Sequence, residues 1–140
     1  MSVEMVTFSH RWFDEVWNKG RESAIDEMLA PDAVLHGLAE GGAGLRGPEG
    51  FKPFFRSIRA AFPDIEIQVE DVVSEGDLLA IRYSATMTHA GPGFGEPTNR
   101  KLAVTGMSFS RMRDGQIVEG WNNWDQLSLL QQMGAVPVAR

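Results

Sequence analysis

Apolar residues recur every three or four positions in the first half of the chain and every second position in much of the rest. Met5, Phe8, Trp12, Phe13, Val16 and Trp17 follow helical spacing and predict an amphipathic helix over about residues 3–18, with Gly20 just past its end. A shorter helix follows through Ala24, Ile25, Met28 and Leu29, with Pro31 beyond it. Ala33 to His36 reads as a brief strand leading into the loop Gly41-Gly42-Ala43-Gly44. A third helix starts near Pro48, a favoured first helical position, carries Phe51, Phe54, Phe55, Ile58 and Phe62, and is stopped by Pro63.

The period then becomes two. Ile65, Ile67 and Val69 alternate with Glu66, Gln68 and Glu70, and Glu75-Gly76-Asp77 predicts a turn. Leu78 to His89 reads as a long strand. Residues 90–100, with Gly91, Pro92, Gly93, Gly95 and Pro97, read as a loop at a mouth or lid, with Phe94 as a plug in its functional version. A strand from about Leu102 to Arg113 meets Asp114-Gly115, a two-residue hairpin signal, and Gln116 to Trp124 pairs back. A last helix holds Leu127, Leu129, Leu130 and Met133, with Gly134 beyond its end.

Helices first and turn-linked strands second are the order of an α+β domain, a mostly antiparallel sheet with helices gathered on one face. The 140 residues suit a single domain over 1–140, and no repeat or linker interrupts them. A sheet that curls around such helices leaves a cavity. Trp12, Trp17, Trp121 and several Phe are available to line it, plain core packing being the alternative for Trp12 and Trp17.

Composition narrows the chemistry. A net charge of -6 without any basic cluster argues against nucleic acid as a partner. No apolar run approaches the ~18 residues of a membrane span, and Met1-Ser2-Val3-Glu4 lacks the start of a signal peptide. The expectation is a soluble, cytoplasmic protein. Without cysteine there is no disulfide framework and no thiolate nucleophile or metal ligand. The 3 His and the scattered acids show no metal-ligand spacing, so no metal is expected.

The candidate chemistry gathers on the strand Glu119-Gly120-Trp121-Asn122-Asn123-Trp124-Asp125. Alternation puts Glu119, Trp121, Asn123 and Asp125 on one face and Gly120, Asn122 and Trp124 on the other. The first face offers an aromatic wall, an amide and acids, which suits a pocket that moves a proton on a flat organic molecule. Met107 and Phe109 would extend that wall and lift the Asp125 carboxyl from about 3.9 toward the operating pH by desolvation. The alternative for Asp125 is the N-cap of the last helix. Arg111 shares a face with Thr105, Met107 and Phe109, and could hold a carboxylate or enolate oxygen, or lie at the surface beside the hairpin. His36 and His89 end their strands. Each could polarise a carbonyl or serve as a structural hydrogen-bonder.

Several segments in order resemble the SnoaL-like polyketide cyclase family of the NTF2-like superfamily. They are Phe13-Asp14-Glu15-Val16-Trp17-Asn18-Lys19-Gly20, Gly47-Pro48-Glu49-Gly50-Phe51, Ala61-Phe62-Pro63-Asp64, Glu75-Gly76-Asp77, Thr88-His89, Pro97-Thr98, Asp114-Gly115-Gln116-Ile117-Val118-Glu119, and Trp124-Asp125-Gln126 leading to Gln131-Gln132-Met133-Gly134. The resemblance covers nearly the whole chain. It implies a cone in which a curved, mostly antiparallel sheet wraps around three N-terminal helices and an internal apolar pocket, assembled as a homodimer.

It also implies ring closure by intramolecular aldol chemistry without metal or cofactor, with an acid/base Asp that falls on Asp125. His36 and His89 would assist, and Trp17, Arg82, Met107, Phe109, Arg111, Trp121 and Asn123 would surround a small apolar or aromatic carbonyl compound. Members with cyclase activity tend to carry a His near the position of Arg111. Epoxide-hydrolase relatives place an Asp two residues after an Arg, where this chain has Arg82 followed by Ser84. The leading expectation is therefore a cofactor-independent lyase or isomerase. The alternatives are an epoxide-hydrolase-like enzyme, a protein that binds the same ligand without chemistry, and a protein-interaction module that offers its exposed sheet face to a partner.

Overall fold

A computed structural model describes residues 2–38 and 44–138, so the loop Gly41–Gly44 lies, apart from Gly44, outside the described residues. Helix α1 (Val3–Arg11) continues without a break as a π-helical segment, Trp12–Asn18, followed by α2 (Glu22–Met28), β1 (Leu29–His36), β2 (Leu45–Arg46) and α3 (Gly47–Ala61). Strands β3 (Glu66–Glu75), β4 (Leu78–Thr88), β5 (Lys101–Arg113) and β6 (Gln116–Trp124) come next, then α4 (Gln126–Gln132). The strands form one curved, open sheet in the order β2-β1-β6-β5-β4-β3. All neighbours run antiparallel except β1 and β6, which are parallel. The α+β expectation holds. Strand β1 begins four residues earlier than the alternation predicts, and the two-residue β2 has no periodic signal at all.

The π-helical segment is what the helical period does not predict. A π-helix bonds each N–H five residues back, so side chains five apart stack on one face. Trp12 and Trp17 thereby both meet Phe51, with ring centroids 5.5 and 5.9 Å away. The segment is fastened at its end. The Asn18 side chain accepts from the Ile67 N–H at 2.6 Å and donates to the Ile67 carbonyl at 2.9 Å, satisfying both free backbone groups of one residue on edge strand β3. Arg59 of α3 donates to the Trp17 carbonyl.

One core joins the helices to the concave face of the sheet. Val16, Ile25, Leu29, Phe51, Phe62 and Leu79 are almost fully buried in it. On β4 the inward set is Leu79, Ile81, Tyr83, Ala85 and Met87, and on β5 it is Leu102, Val104, Gly106, Ser110 and Met112. No helix of the described residues is long and apolar enough to cross a membrane.

Candidate functional site

Between the helices and the concave face lies an apolar cavity of about 110 Å³. Phe8, Trp12, Phe13 and Trp17 line it from the N-terminal helix, Phe51, Phe54 and Ile58 from α3, and Ile81, Tyr83, Ala85 and Met87 from β4. Polar groups are few: Tyr83, Ser108, Ser110, Asn122 and His36. No Asp or Glu occurs among its described lining residues.

Tyr83 and Asn122 form the principal polar contact. The Tyr83 hydroxyl donates to Asn122 Oδ1 at 2.9 Å. Tyr83 is 6% exposed, and burial pushes its hydroxyl up to about 12, with the Asn122 bond pulling the other way. It therefore stays protonated at any physiological pH. Local sequence makes the contact possible. Tyr83 pairs across the strands with Gly106, where an added Cβ would lie 2.4 Å from the phenol oxygen. Only the missing side chain at 106 lets the phenol cross β5 and reach β6.

The strand Glu119 to Asp125 alternates as expected, but its faces are exchanged. Gly120, Asn122 and Trp124 turn to the cavity, while Glu119 and Asn123 lie on the convex face and Trp121, on that same face of the strand, touches the cavity only at its edge. Gly120 packs against the Leu35 side chain, and this close approach seats the strand with its small residue inward. Met107, Phe109 and Arg111 follow Trp121 and Asn123 outward, because Phe109 pairs with Trp121 and Met107 with Asn123. The expected cavity wall is thus an exposed surface: Met107 is 62% and Phe109 41% exposed.

The remaining expected site residues disperse. Asp125 caps α4, accepting from the Ser128 N–H at 3.0 Å, and takes no part in the cavity lining. Arg82 is engaged by Asp71 at 2.7 Å and Arg111 by Asp77 at 3.3 Å, both at the surface. His89 is fully buried away from the cavity. Its Nδ1 accepts from the Thr98 N–H at 3.3 Å, which leaves Nε2 to donate to the Gly93 carbonyl at 2.7 Å. It fastens the 90–100 loop. Phe94 in that loop packs on Phe62 and does not line the cavity. Trp17 lines the cavity as expected, and Trp121 and His36 reach its rim.

Sequence reasoning passed over Tyr83, Ser108, Ser110 and Asn122. The alternation Ile81, Tyr83, Ala85 already marks Tyr83 as inward, whereas counting back from the Asp114-Gly115 hairpin would bring Ser108 opposite Trp121; a register shift between Arg111 and Met112 sets it opposite Asn122 instead.

Comparison with known proteins adds the family. A family model described as SnoaL-like polyketide cyclase matches residues 8–133. The chain belongs to the SnoaL-like polyketide cyclase family. Wild-type IdmH of Streptomyces antibioticus, assigned to the polyketide cyclases, is 36% identical, covers 93% of this chain and 98% of its own, and superposes with a TM-score of 0.81. A SnoaL-like protein of Jannaschia sp. CCS1 is 26% identical over 96% of this chain and 94% of its own, TM-score 0.83. AclR of Streptomyces galilaeus, assigned as a hydroxylase, shares the fold at 24% identity, TM-score 0.85, over 100% of this chain and 87% of its own. No curated protein matches the sequence. One NTF2-like fold thus carries different reaction assignments, and the reaction must be argued from the site.

Proposed function

We propose that this SnoaL-like protein is a cofactor-independent lyase or isomerase of the cyclase type, acting on a small, largely apolar carbonyl compound held in the cavity. The observation that carries this reading is the Tyr83–Asn122 pair within an otherwise apolar, aromatic cavity. An apolar cavity with one convergent polar contact orients a ligand by its oxygen. Ring closure gains most from holding two ends of one molecule together, and that gain needs shape more than a strong acid. The Tyr83 hydroxyl, by holding Asn122 Oδ1, orients the Asn122 amide, whose NH2 group is suited to donate to a carbonyl oxygen that gains charge as an enolate forms.

Asp125 is left out of this chemistry and keeps its capping role. The protein is further proposed to be cytoplasmic and to form a homodimer through the convex face of the sheet. There Phe109 and Trp121 pack edge to face at 5.9 Å with Met107 beside them. A patch of this kind is uncommon on a monomer.

The test is incubation of the chelator-treated protein with linear polyketide-type keto esters, followed by mass spectrometry and NMR. A cyclised product of unchanged mass, or of that mass less water, supports the reading. One observation favours a second reading, binding without chemistry: no carboxylate occurs among the described lining residues. Keto esters that bind but are recovered unchanged would decide for it.

A further inference from the structure

His36 joins the cavity to a charged partner at its rim. It lines the cavity, and its Nε2 lies 2.9 Å from Glu119 Oε2. Its ring also stacks on Trp121, with centroids 5.4 Å apart and planes 21° from parallel. Register produces this cluster. His36 pairs with Trp121 across the parallel β1–β6 ladder, and Glu119 stands two residues earlier on the same face. A carboxylate on one ring nitrogen fixes the tautomer, leaves the other nitrogen as acceptor, and stabilises the imidazolium once formed. Trp121 holds the ring plane.

We propose that His36 and Glu119 form a proton-transfer dyad for the cavity, with His36 Nδ1 as the base and Glu119 as its positioning residue. This rests on the proposed binding of a carbonyl compound. The substrate class it selects is a ketone or keto ester with an acidic hydrogen beside the carbonyl. The bond from that carbon to hydrogen breaks, and the proton passes to His36 Nδ1. The electron pair forms the carbon–carbon double bond of the enolate, and the carbonyl π pair moves to its oxygen, which the Tyr83–Asn122 pair receives. Return of a proton from the imidazolium to carbon, or to the alkoxide formed when the enolate attacks a second carbonyl, restores the neutral ring. No oxidant or co-reactant is needed.

The probe is β-tetralone, a flat, mostly apolar ketone with acidic hydrogens beside its carbonyl. Binding is read by quenching of tryptophan fluorescence, and catalysis by hydrogen–deuterium exchange at the α-carbon, followed by NMR in deuterated buffer. The dyad predicts saturable quenching and exchange above that of buffer with equimolar free imidazole. His36→Gln should lower the exchange rate by roughly 100-fold, the lower end of the range for general base catalysis. Glu119→Gln should lower kcat about tenfold, roughly 1.4 kcal/mol of transition-state stabilisation, at an unchanged KM, and Glu119→Asp should recover part of the loss. Saturable binding with exchange no faster than the imidazole control would overturn the dyad and leave the cavity reading intact. So would Glu119→Gln acting on KM alone. Absence of saturable binding would overturn both. Glu119 is half-exposed, so its variants test the dyad even if His36→Gln fails to fold.

Discussion

Tyr83 shows how much a single side chain can carry. It is a buried phenol whose hydroxyl has one polar neighbour, and burial holds its proton far above the neutral range. The linkage has a definite sign. An unfolded tyrosine ionises near 10, whereas this one ionises near 12 in the folded chain. The contribution of Tyr83 to stability is therefore complete below pH 10 and is lost as pH rises from 10 through about 12. Thermal melts across that window should fall more steeply for the natural chain than for Tyr83→Phe. Parallel curves would show that the phenol is not buried as described. Asp125 teaches the opposite lesson. Its position in the sequence suits both a cap and a site, and a carboxylate near two tryptophans invites the second reading. Its bond to the Ser128 N–H and its absence from the described cavity lining support the cap.

At the scale of elements, most of the fold was legible because period and punctuation agree: a 3.6 period up to Pro63, then a period of two, with Asp114-Gly115 marking the hairpin. Alternation also gave the pairs of faces on β5 and β6 correctly. What it could not give was which face turns inward, because both faces of β6 carry a tryptophan and an amide. That choice is made between strands, where Leu35 of β1 needs Gly120 and Tyr83 of β4 needs Gly106. The π-helical segment was hidden for a related reason. Trp12, Phe13, Val16 and Trp17 satisfy an α-helical period well enough to mask the extra residue in the turn.

The clamp at the end of that segment is testable. Asn18→Ala removes two hydrogen bonds to Ile67 and leaves its backbone groups unpaired on the sheet edge. The loss should be about 2 kcal/mol, roughly 1 for each bond. Equilibrium denaturation measures it, and a change below ~0.5 kcal/mol would show that the clamp contributes nothing.

For the whole molecule, the concave face holds the cavity and the convex face holds the apolar patch. A row of paired residues, Val73, Ala80, Phe109, Trp121 and His36, crosses the sheet from β3 to β1 on that outer side. Sedimentation should show a dimer at micromolar concentration that Phe109→Glu converts to monomer without unfolding it. A monomeric natural chain would contradict the proposed homodimer. His36 ends this row and reaches the cavity rim, so a partner on the convex face would dry the His36–Glu119 pair while access from the cavity remains.

The proposed function depends most on which polar groups meet the ligand. Side-by-side titration of β-tetralone against Tyr83→Phe and Asp125→Asn measures this directly, through quenching of the cavity tryptophans. Tyr83→Phe should weaken binding about tenfold, the worth of the one hydrogen bond that orients Asn122 toward the ligand, and Asp125→Asn should leave it unchanged. Unchanged binding in Tyr83→Phe together with lost binding in Asp125→Asn would contradict the account and return the site to Asp125.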